Sequence, residues 1–133
     1  MRLTGHRAAV NCFAINFEDP NLIASGSEDS NVKIWDIRSG RATTTYKQHQ
    51  MPINCIDFSP DGNWVASGGA DGALRIWDQA SEKDLFVQEN QANSINCLQF
   101  NHSYLTLAAA SSDKTVSYWD LEKFEQVHKT TRD

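Results

Sequence analysis

The sequence predicts an all-β protein made of three four-stranded antiparallel sheets arranged as blades. Two observations lead there: a Trp-Asp dipeptide that returns at a fixed interval, and short alternating segments separated by turn residues. The endings NVKIWD, ALRIWD and TVSYWD put Trp35-Asp36, Trp77-Asp78 and Trp119-Asp120 at a constant spacing of 42 residues. A self-similar period of roughly 40 to 45 residues is the mark of a repeat architecture. Aligning the tryptophans also aligns AVNCFAINF with PINCIDF and SINCLQF, and LIASGSEDS with WVASGGADG and TLAAASSDK. An Asp stands six residues before each Trp, at Asp29, Asp71 and Asp113. The repeat units run over about 3–47, 48–89 and 90–131.

Each unit reads as four short strands. The first, VNCFAI, INCIDF or INCLQF, alternates a polar Asn with apolar neighbours, and the second is LIASGS, WVASGG or LTLAAA. In the third, a period of two sends Val32, Ile34, Leu74, Ile76, Val116 and Tyr118 to one face. It sends Lys33, Trp35, Arg75, Trp77, Ser117 and Trp119 to the other. The fourth, RATTTYK, DLFVQ or FEQVHKT, is more polar and suits an outer edge. Pro20-Asn21, Ser39-Gly40, Asp61-Gly62 and Asp71-Gly72 supply turns between them. The stretch DLEKFEQVHKT could be drawn as a helix, but it aligns with two strand-like segments and is assigned to a strand. One small sheet cannot bury both of its faces, so the units are expected to stack, and the period favours a propeller over a solenoid.

A composition of 40% hydrophobic and 22% charged residues is that of a globular chain rather than a disordered one. The formal charge of -5, with no basic block, argues against nucleic acid as a partner. No apolar stretch approaches the roughly 20 residues of a membrane span, and the start MRLTGHRAAVNC has no signal-peptide core. No membrane partner and a cytoplasmic location are therefore expected. Cys12, Cys55 and Cys97 are odd in number and form no CxxC pair, so they are read as small buried hydrophobes, neither disulfides nor zinc ligands. Neither a metal nor any other cofactor is expected.

The segments TGHRAAVNCFAI, LIASGSEDSNVKIWD and QHQMPINCIDFSPDGNWVASGGADGALRIWD closely resemble WD repeats: Gly-His, Ser-Pro-Asp-Gly, Ser-Gly and Trp-Asp occur in order. The resemblance spans nearly the whole chain and implies WD40-type β-propeller blades, here a partial propeller. It also implies a buried network in each unit: His6, Ser25, Asp29 and Trp35 in the first, His49, Ser67, Asp71 and Trp77 in the second. The third unit keeps Asp113 and Trp119 but has Gln91 in the His place and Ala109 in the Ser place, so its network is expected to be incomplete. More narrowly, SSDKTVSYWDLEKFEQV looks like the WD repeats of the regulatory, non-catalytic subunit of katanin. That resemblance implies a scaffold that targets or regulates a microtubule-severing complex at the cytoskeleton or centrosome. Its implied partners are the katanin catalytic subunit, microtubules or spindle-pole proteins.

A His, a Ser and an Asp in one unit superficially make a triad. The set recurs with the repeat, however, and Ser25 and Ser67 fall within strands rather than on an exposed nucleophile turn, so no enzyme is expected. His102 and His128 have no partners at metal spacing and are read as surface residues. Trp64, Phe13, Phe17, Phe58 and Phe100 are read as core. Loops on a rigid scaffold are the usual recognition sites, so the candidate protein-binding face is Arg7, Glu28, Ser30, Gln50, Met51, Ala70, Asn93 and Lys114. A general WD-repeat adaptor, such as a ubiquitin-ligase substrate receptor, is the alternative functional reading. Three blades fall short of the four to eight of a closed ring. The sequence is therefore read as a fragment of a longer subunit, a truncated product, or half of a homodimer that completes a propeller.

Overall fold

A computed structural model describes residues 2–89, 93–103, 105–123 and 125–130, the last segment through its backbone alone. The strands are β1 (Val10–Ile15), β2 (Leu22–Ser27), β3 (Val32–Asp36), β4 (Arg41–Tyr46), β5 (Ile53–Phe58) and β6 (Trp64–Gly69). They continue with β7 (Leu74–Asp78), β8 (Asp84–Gln88), β9 (Ile95–Phe100), β10 (Thr106–Ser111), β11 (Val116–Asp120) and β12 (Glu125–Thr130). They form three antiparallel four-stranded sheets, each in simple sequence order. β1 lies against β5 and β5 against β9, so the first strand of every sheet is the innermost. Of the stretch drawn as an alternative helix, Asp120 ends β11, residues 121–123 form a turn and residues 125–130 are strand β12.

The three sheets share one register. Ser25 stands between Phe13 and Lys33, Ser67 between Ile56 and Arg75, and Ala109 between Leu98 and Ser117. A bulge opposite each Trp-Asp pair shifts the outer strand, between Ile34/Trp35, Ile76/Trp77 and Tyr118/Trp119. Extra outer-strand residues of this kind increase local twist and limit pairing at an edge.

The core lies between sheets rather than inside any one of them. One cluster joins Ala24, Val32, Ile34 and Tyr46 of the first sheet to Ile53, Phe58, Val65 and Trp77 of the second. Another joins Ala66, Leu74 and Ile76 of the second to Leu98, Phe100, Leu107 and Trp119 of the third. Burying each large aliphatic or Phe side chain is worth about 1.5–3 kcal/mol, so the junctions carry most of the apolar stabilisation. Close approach demands a glycine at the same place in two sheets. A Cβ on Gly26 would lie 2.5 Å from Ile53 Cγ2, and one on Gly68 would lie 2.6 Å from Ile95 Cγ2.

Burial corrects part of the sequence reading. Phe58 and Phe100 are buried, and Trp64 packs on the second cluster, but Phe13 and Phe17 are exposed. Cys55 is buried and Cys12 half-buried, yet Cys97 is exposed. Phe13 sits on a sheet face against which no described sheet packs, and so does Cys97 at the other end, whereas their counterparts Ile56 and Cys55 meet a neighbour.

Candidate functional site

The turn joining the second and third strands of each sheet reverses through one left-handed residue: Ser30 (φ 72°), Gly72 (φ 75°) and Lys114 (φ 71°). Only the second sheet uses glycine, the residue that adopts this conformation without a Cβ penalty. The turn Asp compensates in each case. Its Oδ1 accepts the backbone N–H two residues on: Asn31 at 2.9 Å, Ala73 at 3.0 Å and Thr115 at 3.0 Å. Thr115 Oγ1 also donates to Asp113.

The second oxygen of that carboxylate fastens the turn to the segment before the first strand. Asp29 Oδ2 lies 2.9 Å from His6 Nδ1 and accepts the Arg7 N–H at 2.9 Å. Asp71 Oδ2 lies 3.4 Å from His49 Nδ1 and accepts the Gln50 N–H at 3.3 Å. The other ring nitrogens lie 2.7 Å from Ser25 Oγ and from Ser67 Oγ. Trp35 Nε1 donates to Ser25 Oγ at 2.8 Å, and Trp77 Nε1 to Ser67 Oγ at 3.3 Å. With a neutral imidazole the donors run in one direction. The indole N–H donates to Ser, the Ser hydroxyl to His Nε2, and His Nδ1–H to Asp.

Burial pushes the Asp29 carboxyl up, but the Arg7 N–H and the His6 ring outweigh it and hold it below the ordinary carboxylate value. Burial likewise opposes ionisation of Asp71, and hydrogen bonds from His49 and Ala73 overcome it, holding that group at about 2. The connectivity matches a hydrolase triad, but the setting does not. Ser67 is fully buried and Ser25 nearly so, and each Oγ is already engaged by an indole and an imidazole. A nucleophile must reach a carbonyl carbon, and neither hydroxyl faces open space.

In the third sheet Ala109 removes the cross-strand hydroxyl, and Trp119 Nε1 donates instead to Ser117 Oγ at 3.2 Å. Ser117 Oγ in turn donates to Ala109 O at 3.4 Å. Gln91 lies outside the described residues. Ser117 holds the place of Lys33 and Arg75, and sequence reasoning passed over it. The signal was there: a small hydroxyl residue appears where the other two repeats carry long cations, in the one repeat that lacks the strand Ser.

Of the proposed binding-face residues, Arg7, Glu28, Gln50, Met51 and Lys114 are exposed, while Ser30, Ala70 and Asn93 are half-buried. Gln50 and Met51 border a recess of about 340 Å³ that is also lined by Asp71, Ala73, Arg75 and Glu89. Arg75 reaches Asp84 at 3.5 Å and Glu89 at 3.9 Å, while Lys33 donates to Thr45 Oγ1 at 3.0 Å. Tyr46 stacks on Trp77 at 4.2 Å and donates its hydroxyl to Asp84, which ties the first junction to the Arg75 cluster. Burial raises the Cys12 thiol to about 11 and lifts Cys55 as well, keeping both in the thiol form. His102 is exposed and meets the Phe17 ring edge-on, and the His128 side chain lies outside the described residues.

The WD domain, G-beta repeat pattern matches residues 1–36, 40–78 and 83–120. Each match covers the first three strands of one sheet, and the second and third begin with the outer strand of the sheet before. The chain belongs to the WD-repeat family. WD-repeat relatives include guanine nucleotide-binding protein subunit beta of Zea mays, 43% identical over 60 residues, and that of Oryza sativa subsp. japonica, 45% identical over 60 residues. The Arabidopsis thaliana protein of the same name is 40% identical over 60 residues. Each match covers 44% of this WD-repeat chain and 16% of the relative. The chain thus spans a small part of the length of these relatives.

Proposed function

We propose that this WD-repeat chain is a non-catalytic protein-interaction scaffold that binds a protein segment on the turn face of its sheets. The observation that carries the reading is a division of labour in the second sheet. His49, Ser67, Asp71 and Trp77 are occupied with one another, while the turn above them presents Gln50 and Met51 beside an open recess. The Met51 thioether, the Gln50 amide, the Glu89 carboxylate and the Arg75 guanidinium around one recess suit a polypeptide with apolar and polar side chains. The relatives support the scaffold reading, since each is named as a subunit, a component of an assembly. The test is co-precipitation with the chain and with a variant in which Arg7, Gln50, Met51 and Lys114 are all alanine. Loss of bound proteins from the folded variant is expected, and full retention would place binding elsewhere. Turnover of any substrate that His6→Ala abolishes without unfolding would overturn the non-catalytic part.

A narrower reading makes the scaffold part of a microtubule-severing assembly in the cytoplasm, at the cytoskeleton or centrosome. It rests on the wording of residues 111–127, SSDKTVSYWDLEKFEQV, and its similarity to the katanin regulatory subunit. Recovery of tubulin, spindle-pole proteins or the severing ATPase in the same experiment would support it. Recovery of ubiquitin-ligase subunits would favour the general adaptor.

A further inference from the structure

The two junctions between sheets differ at one place. In the first, Tyr46 of β4 lies flat on the indole of Trp77, with ring centroids 4.2 Å apart and the planes within 1° of parallel. Tyr46 pairs with Val32 of β3, and the residue in its place on β8 is Gln88, which pairs with Leu74 of β7. Tyr46 is 2% exposed, whereas Gln88 is exposed, so the shorter side chain does not take over the position of the ring. Among the described residues no ring lies parallel to Trp119. Phe86, in the place of Thr44, meets its indole at 55° with centroids 5.4 Å apart.

A second exchange of long for short falls on the same spot. Arg75 reaches Asp84, the acceptor of the Tyr46 hydroxyl, and Ser117 stands in the place of Arg75. Between the second and third sheets these exchanges leave a cavity of about 90 Å³. Leu74 and Gln88 line it from one sheet, and Ile95, Ala109, Ser117 and Trp119 from the other. Gly72 and Asp113 also border it, which puts it at the turn end of the sheets. Trp119 keeps 6% exposure where Trp77 has none.

We propose that this cavity is a slot for one aromatic side chain, a tyrosine of the protein segment that docks on the turn face, lying on Trp119 as Tyr46 lies on Trp77. The choice of a protein side chain as occupant rests on the scaffold reading above. The lining selects the chemistry. Apolar walls disfavour a charged group that leaves water, and an indole face rewards a second ring beyond the area it buries. The Ser117 hydroxyl supplies a polar end at the position where Arg75 sits beside the Tyr46 hydroxyl and its acceptor.

Phenol is the probe. Titrated into the full isotope-labelled chain, it should shift the indole N–H resonance of Trp119, assigned with Trp119→Phe, and saturate with a dissociation constant on the order of 1–10 mM. Trp77, already covered by Tyr46, should keep its resonance. Cyclohexanol, of similar size but without a π face, should bind about two- to tenfold more weakly. Gln88→Tyr restores the missing ring from an exposed strand position and should abolish phenol binding. It should also lower protein capture in the co-precipitation by about tenfold or more. Phenol that fails to saturate, moves Trp77 in step with Trp119, or binds Gln88→Tyr as well as wild type would overturn the slot. Equally tight cyclohexanol would overturn the stacking. Phenol binding needs no partner, so it stands or falls apart from the scaffold reading. Capture that the turn-face alanine variant loses and Gln88→Tyr keeps would preserve that reading and overturn the tyrosine.

Discussion

Trp77 and Trp119 occupy the same place in strands β7 and β11, and both indoles are buried, but different partners hold them. Trp77 donates across to Ser67, is linked through it to His49 and Asp71, and stacks flat on Tyr46 with an interplanar angle of 1°. Trp119 donates to Ser117, two residues back on its own strand, and meets Phe86 at a tilt of 55°. A buried indole N–H needs an acceptor, and the need is met in both sheets. What differs is where the bond leads. In the second sheet it continues through an imidazole to the turn and ties three parts of the chain together, whereas in the third it ends within β10 and β11.

The largest test of that contrast is truncation of the tryptophans. Trp77→Ala should destabilise by about 3–5 kcal/mol in urea unfolding, the range for large aromatics lost from a core. Trp119→Ala should cost measurably less, because its indole is tied to fewer groups, and equal losses would break the comparison. Next come the hydroxyls. Ser67→Ala leaves both an indole N–H and an imidazole nitrogen without their partner and should cost about 1–3 kcal/mol. Ser117→Ala strands one donor at a less buried site and should cost about 1 kcal/mol, with Trp119 fluorescence reporting the change. Amide exchange sharpens the contrast without mutation. Strands β10 and β11 should exchange at least about tenfold faster than β6 and β7, and better protection of the third sheet would reverse the ranking.

The smallest expected effect is in acid. The folded Asp71 carboxyl sits at about 2 against an ordinary 3.8, so its stabilisation is complete above the ordinary value and is lost as pH falls through about 2. Asp29, also lowered, contributes in the same direction. Burial raises the folded value of Asp57 despite the Phe100 N–H that it accepts, so its protonation partly offsets the loss. Melting temperature measured between pH 5 and pH 2 should fall less steeply in Asp71→Asn than in the wild type.

The contrast also shows how far the sequence could be read. The repeat and the strand order were legible because each depends on a spacing that recurs, and the grouping of His6, Ser25, Asp29 and Trp35 was what the resemblance to WD repeats implied. The role of Ser117 was signalled only by a small hydroxyl residue in the place of Lys33 and Arg75, and the tertiary structure supplies the contact: with Ala109 across the strand, the Trp119 indole turns to Ser117 Oγ at 3.2 Å. The hydrogen bonds from Asn11 and Asn54 to the Ile53 and Ile95 carbonyls left no signal in the sequence. Their acceptors lie some forty residues away on another sheet, and nothing local distinguishes them from the polar residues of an alternating strand.

The sequence alone determined the all-β class, the three units and the turn chemistry, since period-two alternation and Asp-anchored turns act over a few residues. Only the tertiary structure decided which of the equivalent apolar residues are core. Phe13 and Ile56 occupy matching strand positions, yet Phe13 is 69% exposed and Ile56 7% exposed. Burial in a stack of sheets is set by whether a neighbour covers the face, and pattern within a strand carries no record of that neighbour.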